Sequence, residues 1–201
     1  MRRWNMARPN RSYKKGASFR DASLFVIICE GAEREVQYFR ALAQSSKHVK
    51  VEVVSPEEHK SAPKWLVDYA TNYQLGEGDA LWLVMDVDRW KQEDIHAINK
   101  TCKEQKPIWR CAISHPAFET WLLMHYQDIA DLAESPPKSL KKYLHGITRD
   151  GYRLKEALLG VDKAIAQAKR LDENPSHYFP APYQSKVYQL VEALQKQLEK
   201  P

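Results

Sequence analysis

Unbroken apolar runs of strand length alternate along the chain with segments whose apolar residues recur every three to four positions. The first run is 22–29, ASLFVIIC, which stops at Glu30-Gly31. Such a run without alternation marks a strand covered on both faces. Val36, Phe39, Leu42 and Ala43 then fall at helical spacing. Residues 50–54 predict a second strand, closed by Ser55-Pro56, and Pro63 opens a helix through Trp65, Leu66, Tyr69 and Ala70. Residues 80–85, ALWLVM, predict a third strand ending at Asp86-Val87-Asp88; a helix follows over about 91–104. Residues 107–113 predict a fourth strand ending at Ser114-His115-Pro116, and 118–126 a helix. Strands alternating with helices through short loops predict an α/β fold with parallel pairing.

From about residue 136 the pattern is helical only. One helix is expected near 154–171. After a Pro- and aromatic-rich loop at 174–182, Val187, Leu190, Val191, Leu194 and Leu198 predict a last one. These late helices are expected to pack on a sheet face or cap its end. The expected organisation is a tail over 1–20, an α/β core over 21–130 and a helical extension over 131–201.

Charge sharpens the first of these boundaries. The 201 residues carry 31 Lys and Arg against 26 Asp and Glu, a net of +5. Residues 1–20 hold seven of the basic residues and no acid, so this segment is +7 and the remainder −2. Polar, basic and without hydrophobic period, 1–20 is expected to be disordered. No stretch approaches the roughly 20 apolar residues of a membrane helix. The basic N-terminus lacks the apolar segment of a secretory signal. Cys29, Cys102 and Cys111 are too scattered for a CxxC motif and odd in number, which argues for reduced thiols and a cytoplasmic protein. Neither GxxxxGK[ST] nor GxSxG occurs.

The candidate chemistry sits at the strand ends, where parallel α/β sheets collect function. The first strand ends at Glu30, with Glu33 and Glu35 beyond it; the third ends at Asp86 and Asp88; Glu119 follows the fourth. An acid after a strand is often just a helix cap or a charge on a helix dipole. Acids at three strand ends are a less ordinary coincidence. Two carboxylates 4 Å apart repel by about 4 kcal/mol at an effective dielectric of 20, a cost that a hard cation such as Mg²⁺ or Mn²⁺ removes. Arg89 is placed to meet a phosphate, and His115 to act as ligand, proton shuttle or phosphate contact. Lys138, Lys141 and Lys142 offer contacts to a phosphate backbone, or a solvated helix face. Tyr178, Phe179 and Tyr183 offer base stacking, or a cap on the core.

The segments VIICEGAEREVQYF, LVMDVDRW, ISHPAFETWLLMHY and NPSHYFPAPYQSKVYQLVEAL, in this order, resemble the RloB-like family of Toprim-related proteins. The resemblance implies a Toprim-like, mostly parallel four-stranded sheet flanked by helices. It also implies a divalent-metal-dependent nuclease of bacterial antiviral defence, acting on DNA or RNA. By the same resemblance Glu30, Asp86 and Asp88 are catalytic and bind one ion, and Glu35 and Glu119 help to hold a second. A defence-system ATPase or other regulatory protein, or further copies of the chain, are the implied partners. Two departures from the family pattern stand out: His115 and Ala117 replace Asn and Cys, and Glu33-Arg34 replaces Lys-Thr. The competing expectation is a non-catalytic Toprim-fold module that regulates or tethers nucleic acid.

Overall fold

The computed structural model describes residues 22–43, 47–55, 63–148 and 153–199. The basic segment 1–20, expected to be disordered, lies outside the described residues. Four strands form one all-parallel sheet: β1 (Ser23–Cys29), β2 (Val49–Val54), β3 (Ala80–Asp86) and β4 (Arg110–Ser114), in the order β2-β1-β3-β4. Helix α1 (Arg34–Leu42) joins β1 to β2; α2 (Pro63–Ala70) and α3 (Gln92–Glu104) precede β3 and β4. The α/β class, the four parallel strands and the helical C-terminal part are as expected from the sequence. None of the described helices is long and apolar enough to cross a membrane.

Alternation within the strands divides the core in two. Phe25, Ile27, Cys29, Trp82, Val84 and Ala112 face α1 and the later helices. Val26, Ile28, Leu81, Leu83, Met85 and Ile113 face α2 and α3, against Leu66, Ile95 and Ile98. Both faces are covered, which is why the strands read as continuous apolar runs. Because α1 lies on one face and α2 and α3 on the other, the chain reverses its winding between β1 and β3. That crevice, at the carboxyl ends of the strands, is where open α/β sheets bind ligands.

The later elements are α4 (Glu119–Leu123), a 3-10 turn (Ala130–Ala133), α5 (Leu140–Ile147), α6 (Leu154–Leu159), α7 (Val161–Leu171) and α8 (Val187–Leu198). They pack on the sheet face, in one cluster with Phe25 and Trp82. Three expectations are corrected. The fourth strand starts at Arg110, not 107. The helix expected over 118–126 is regular only over Glu119–Leu123. The helix expected over 154–171 is two helices that meet at Gly160, where an added Cβ would stand 2.7 Å from the His125 carbonyl oxygen. Close backbone packing at Gly160 accompanies the break in the helical run.

The edge of β4 is covered by the segment before α8. Lys186 N–H donates to the Ile113 carbonyl at 2.8 Å, His115 N–H to that of Gln184 at 2.9 Å, and Ser114 bridges Ser185. Behind this contact lies a buried ion pair: Lys186 Nζ donates to both Asp172 oxygens at 2.6 Å and to the Asn174 carbonyl at 2.8 Å, and Tyr188 O–H donates to Asp172 at 2.8 Å.

Candidate functional site

The acids expected from the sequence are placed by the backbone ladder. Glu30 N–H donates to the Val84 carbonyl at 3.0 Å, extending the β1–β3 pairing one residue past β1. Across the crevice, Val87 and Asp88 N–H groups donate to the Pro116 carbonyl at 3.0 Å, so the Asp86-Val87-Asp88 turn is pinned to the exit of β4. The Asp86 N–H donates to Glu30 Oε2 at 3.2 Å. Glu35, in the first turn of α1, folds back over Gly31, where any Cβ would fall 2.1 Å from its carboxylate. A side chain at position 31 would push that carboxylate aside. Glu119 opens α4 just beyond β4.

The five acids feel one another's charge. Burial raises the pKa of Asp86 well above its ordinary value, and the charges of Glu35, Glu30, Asp88 and Glu119 raise it further. Burial, then Glu119 and Glu30, raise Glu35; its own backbone N–H and Arg89 act the other way. Asp88 is raised by burial and Glu119 and lowered by Arg89. Glu30, whose side chain is 7% exposed, is raised by burial and by Asp88. The Trp90 indole, the Asp86 N–H and Arg89 moderate that shift. Crowding and desolvation thus disfavour the charged forms together.

Two arginines offset part of this charge. Arg34 Nη1 bonds Glu119 Oε1 at 2.5 Å, and Arg89 Nη1 stands 3.9 Å from Glu30 Oε1. Glu30 Oε1 is buried, and neither it nor the Trp90 indole N–H that moderates its pKa makes a hydrogen bond of good geometry. A buried carboxylate oxygen so weakly engaged is costly, and hard carboxylate oxygens are the donors that Mg²⁺ and Mn²⁺ prefer. In charge and chemistry the group therefore fits a hard divalent ion. In spacing it is open: among the described residues no three His, Cys, Asp or Glu side chains stand close enough together to hold a metal.

The remaining candidates divide. Arg89 is exposed beside Glu30. His115 lies at the exit of β4, and its Nδ1–H donates to the Pro180 carbonyl at 3.1 Å, which leaves Nε2 as the acceptor of the neutral ring. Lys138, Lys141 and Lys142 are exposed at α5, outside the contacts of the carboxylate group. Phe179 makes an edge contact with His115, and Tyr178 bonds His96 Nδ1 at 2.5 Å. Both aromatics pack on the α2–α3 side of the core. Sequence reasoning noted Arg34 only as a departure and did not foresee its bond to Glu119, 85 positions away; an arginine next to Glu35 was the available signal.

A family model, RloB-like protein, matches residues 25–194. The chain belongs to the RloB-like protein family. No curated protein and no solved structure gives a significant match. The family match spans β1 to α8, so it includes all five acids together with the Lys186–Asp172 pair.

Proposed function

We propose that this RloB-like protein is a divalent-metal-dependent nuclease that cleaves phosphodiester bonds in DNA or RNA, in cytoplasmic antiviral defence. The observation that carries the reading is the five-carboxylate group at the β1–β3 crossover, whose charges and burial together raise the pKa of Asp86. Mg²⁺ or Mn²⁺, when bound, supplies Lewis-acid stabilisation of the developing phosphorane charge and acidifies bound water. Glu30, Asp86 and Asp88 would hold that ion once their side chains draw together, and Glu35 and Glu119 would serve a second. Arg89, exposed beside them, contacts the scissile phosphate with its planar fork. His115, at the exit of β4, offers Nε2 as a proton acceptor or phosphate contact. Outside the crevice, Lys138, Lys141 and Lys142 and the +7 segment add backbone contacts to nucleic acid. A defence-system ATPase or another copy of the chain restrains or activates the enzyme.

The test is cleavage of DNA, messenger RNA and transfer RNA with Mg²⁺ or Mn²⁺. Asp86→Ala and Glu30→Gln are expected to abolish metal-dependent cleavage with the fold intact; variants that cut as fast as the native chain overturn the assignment. A second reading is favoured by the Arg34–Glu119 and Arg89–Glu30 pairs, which offset acid charge without an ion. In that reading the fold is a non-catalytic module that binds nucleic acid or a regulatory protein. Calorimetric titration separates the two: no uptake of Mg²⁺ or Mn²⁺ at millimolar concentration selects the second.

A further inference from the structure

The end of the sheet remote from the carboxylates carries a pocket of its own. It has a volume of about 440 Å³ and opens between the N-terminal ends of the strands and helix α8. That volume is in the range of small-molecule sites. Arg110, the first residue of β4, and Lys196, near the end of α8, both line it. Both are exposed, and among the described residues neither pairs with a carboxylate. The acid in the lining, Asp79, is already engaged: its oxygens accept from Leu24 N–H at 2.7 Å and Gly76 N–H at 2.8 Å.

The cations stand on a rigid support. The Arg110 guanidinium lies 5.8 Å from the centre of the Trp82 ring, within cation–π range. Gln197 Nε2 donates to Ser23 Oγ at 2.7 Å and to the Gly78 carbonyl at 3.0 Å, which fixes one wall. Phe25 and Ala193 add apolar surface. Trp82 is 3% exposed and its indole N–H has no acceptor. The lining thus combines two cations and an apolar wall, in a space far larger than a bare phosphate fills.

We infer that this pocket binds a phosphate-bearing ligand of nucleotide size, either a free nucleotide or the 5′-phosphorylated end of a strand. Arg110 and Lys196 take the phosphate, and the apolar wall takes the base or sugar. Trp82 and Asp86 are four residues apart on β3, about 13 Å at the rise of a strand. The pocket is therefore separate from the carboxylate group, and its occupancy does not depend on the nuclease reading.

The test is equilibrium binding to the full chain of inorganic phosphate, adenosine monophosphate, and one short oligonucleotide with either a 5′-phosphate or a 5′-hydroxyl. The expected result is tighter binding of adenosine monophosphate than of phosphate, or a 5′-phosphate-dependent gain for the oligonucleotide; the first identifies a free nucleotide and the second a strand end. An Arg110→Gln/Lys196→Gln variant, changed only at exposed positions and checked for an unaltered Tm, is expected to lose about tenfold or more in affinity. Asp86→Asn is expected to retain it. No binding at millimolar ligand, native affinity in the double variant, or loss of binding in Asp86→Asn each overturns the inference.

Discussion

The backbone N–H of Asp86 donates to Glu30 Oε2 at 3.2 Å, so the acids that end the first and third strands are paired through the chain itself. Glu30 N–H is held by Val84 and Asp86 is paired with Ser114 of β4, which leaves little freedom to relax. Like charges held in this way cost stability, and active sites commonly carry that kind of cost.

Asp86→Asn is accordingly expected to raise stability at neutral pH. The native pKa of Asp86 is raised, so the folded state holds that proton more tightly than the unfolded chain. Native stability therefore grows as pH falls from neutral through the raised value toward the ordinary carboxylate range near 4, and the ionised form is the costly one. Removing the charge should be worth on the order of 1 kcal/mol, a Tm gain of about 2–4 °C for a chain of this size. Thermal unfolding at pH 7 checks it; a lower Tm in the variant contradicts it. Millimolar Mg²⁺ should raise the Tm of the native chain and leave that of the variant nearly unmoved.

His125 has the opposite pH signature. Its Nδ1–H donates to the Trp121 carbonyl at 2.9 Å and its Nε2 accepts from the Tyr38 hydroxyl at 3.0 Å, so the buried ring is neutral. Burial lowers its pKa from 6.5 to about 4. The unfolded chain takes up the proton first, so stability falls as pH drops from about 6.5 to 4, by about 3 kcal/mol in all. The difference between the pH–stability curves of the native chain and His125→Gln isolates this loss from the opposing carboxylates. Parallel curves across that window would refute the assignment.

Lys186→Met should be among the most damaging single changes outside the carboxylates. Both members of the Lys186–Asp172 pair are 2% exposed, and removing the lysine strands a buried carboxylate. The expected loss is about 3–5 kcal/mol. Adding Asp172→Asn should restore part of it, because the amide keeps an acceptor for Tyr188 without the charge. Denaturant unfolding of the single and double variants measures the recovery; none at all would mean that the pair's geometry, rather than its charge, is what matters.

Deleting residues 1–20 removes seven positive charges and no negative one. Nucleic-acid affinity is expected to fall and its dependence on salt to flatten, since each phosphate contact contributes about 0.9 to the logarithmic slope. The Mg²⁺-induced Tm shift should be unchanged. An equal loss of both would tie the segment to the carboxylate site.

Strands β1 and β3 were legible because each is an apolar run long enough to be buried on both faces and stops at an acid. The strand-end rule then brought Glu30, Asp86 and Asp88 together without any contact information. The break at Gly160 was not legible: 154–171 keeps one helical period throughout, and the close approach there comes from His125, 35 positions earlier. Nothing in the sequence singled out Lys186, because its partner Asp172 declares itself only when the 174–184 loop folds over β4. For the same reason the pairing of Arg34 with Glu119 was hidden; local pattern records which face a residue occupies, not which distant charge it meets.

The bond from Gln197 Nε2 to Ser23 Oγ joins residues 174 positions apart. The start of the first strand is thus tied to the end of α8. A nascent chain halted near residue 130 would already hold every one of the five acids, yet would leave Phe25, Trp82 and Ala112 without the helical cover that α7 and α8 provide. Such a chain exposes an apolar sheet face, a hazard for aggregation. The helices beyond residue 130 are therefore needed to cover the sheet that carries the acids, not merely to extend it.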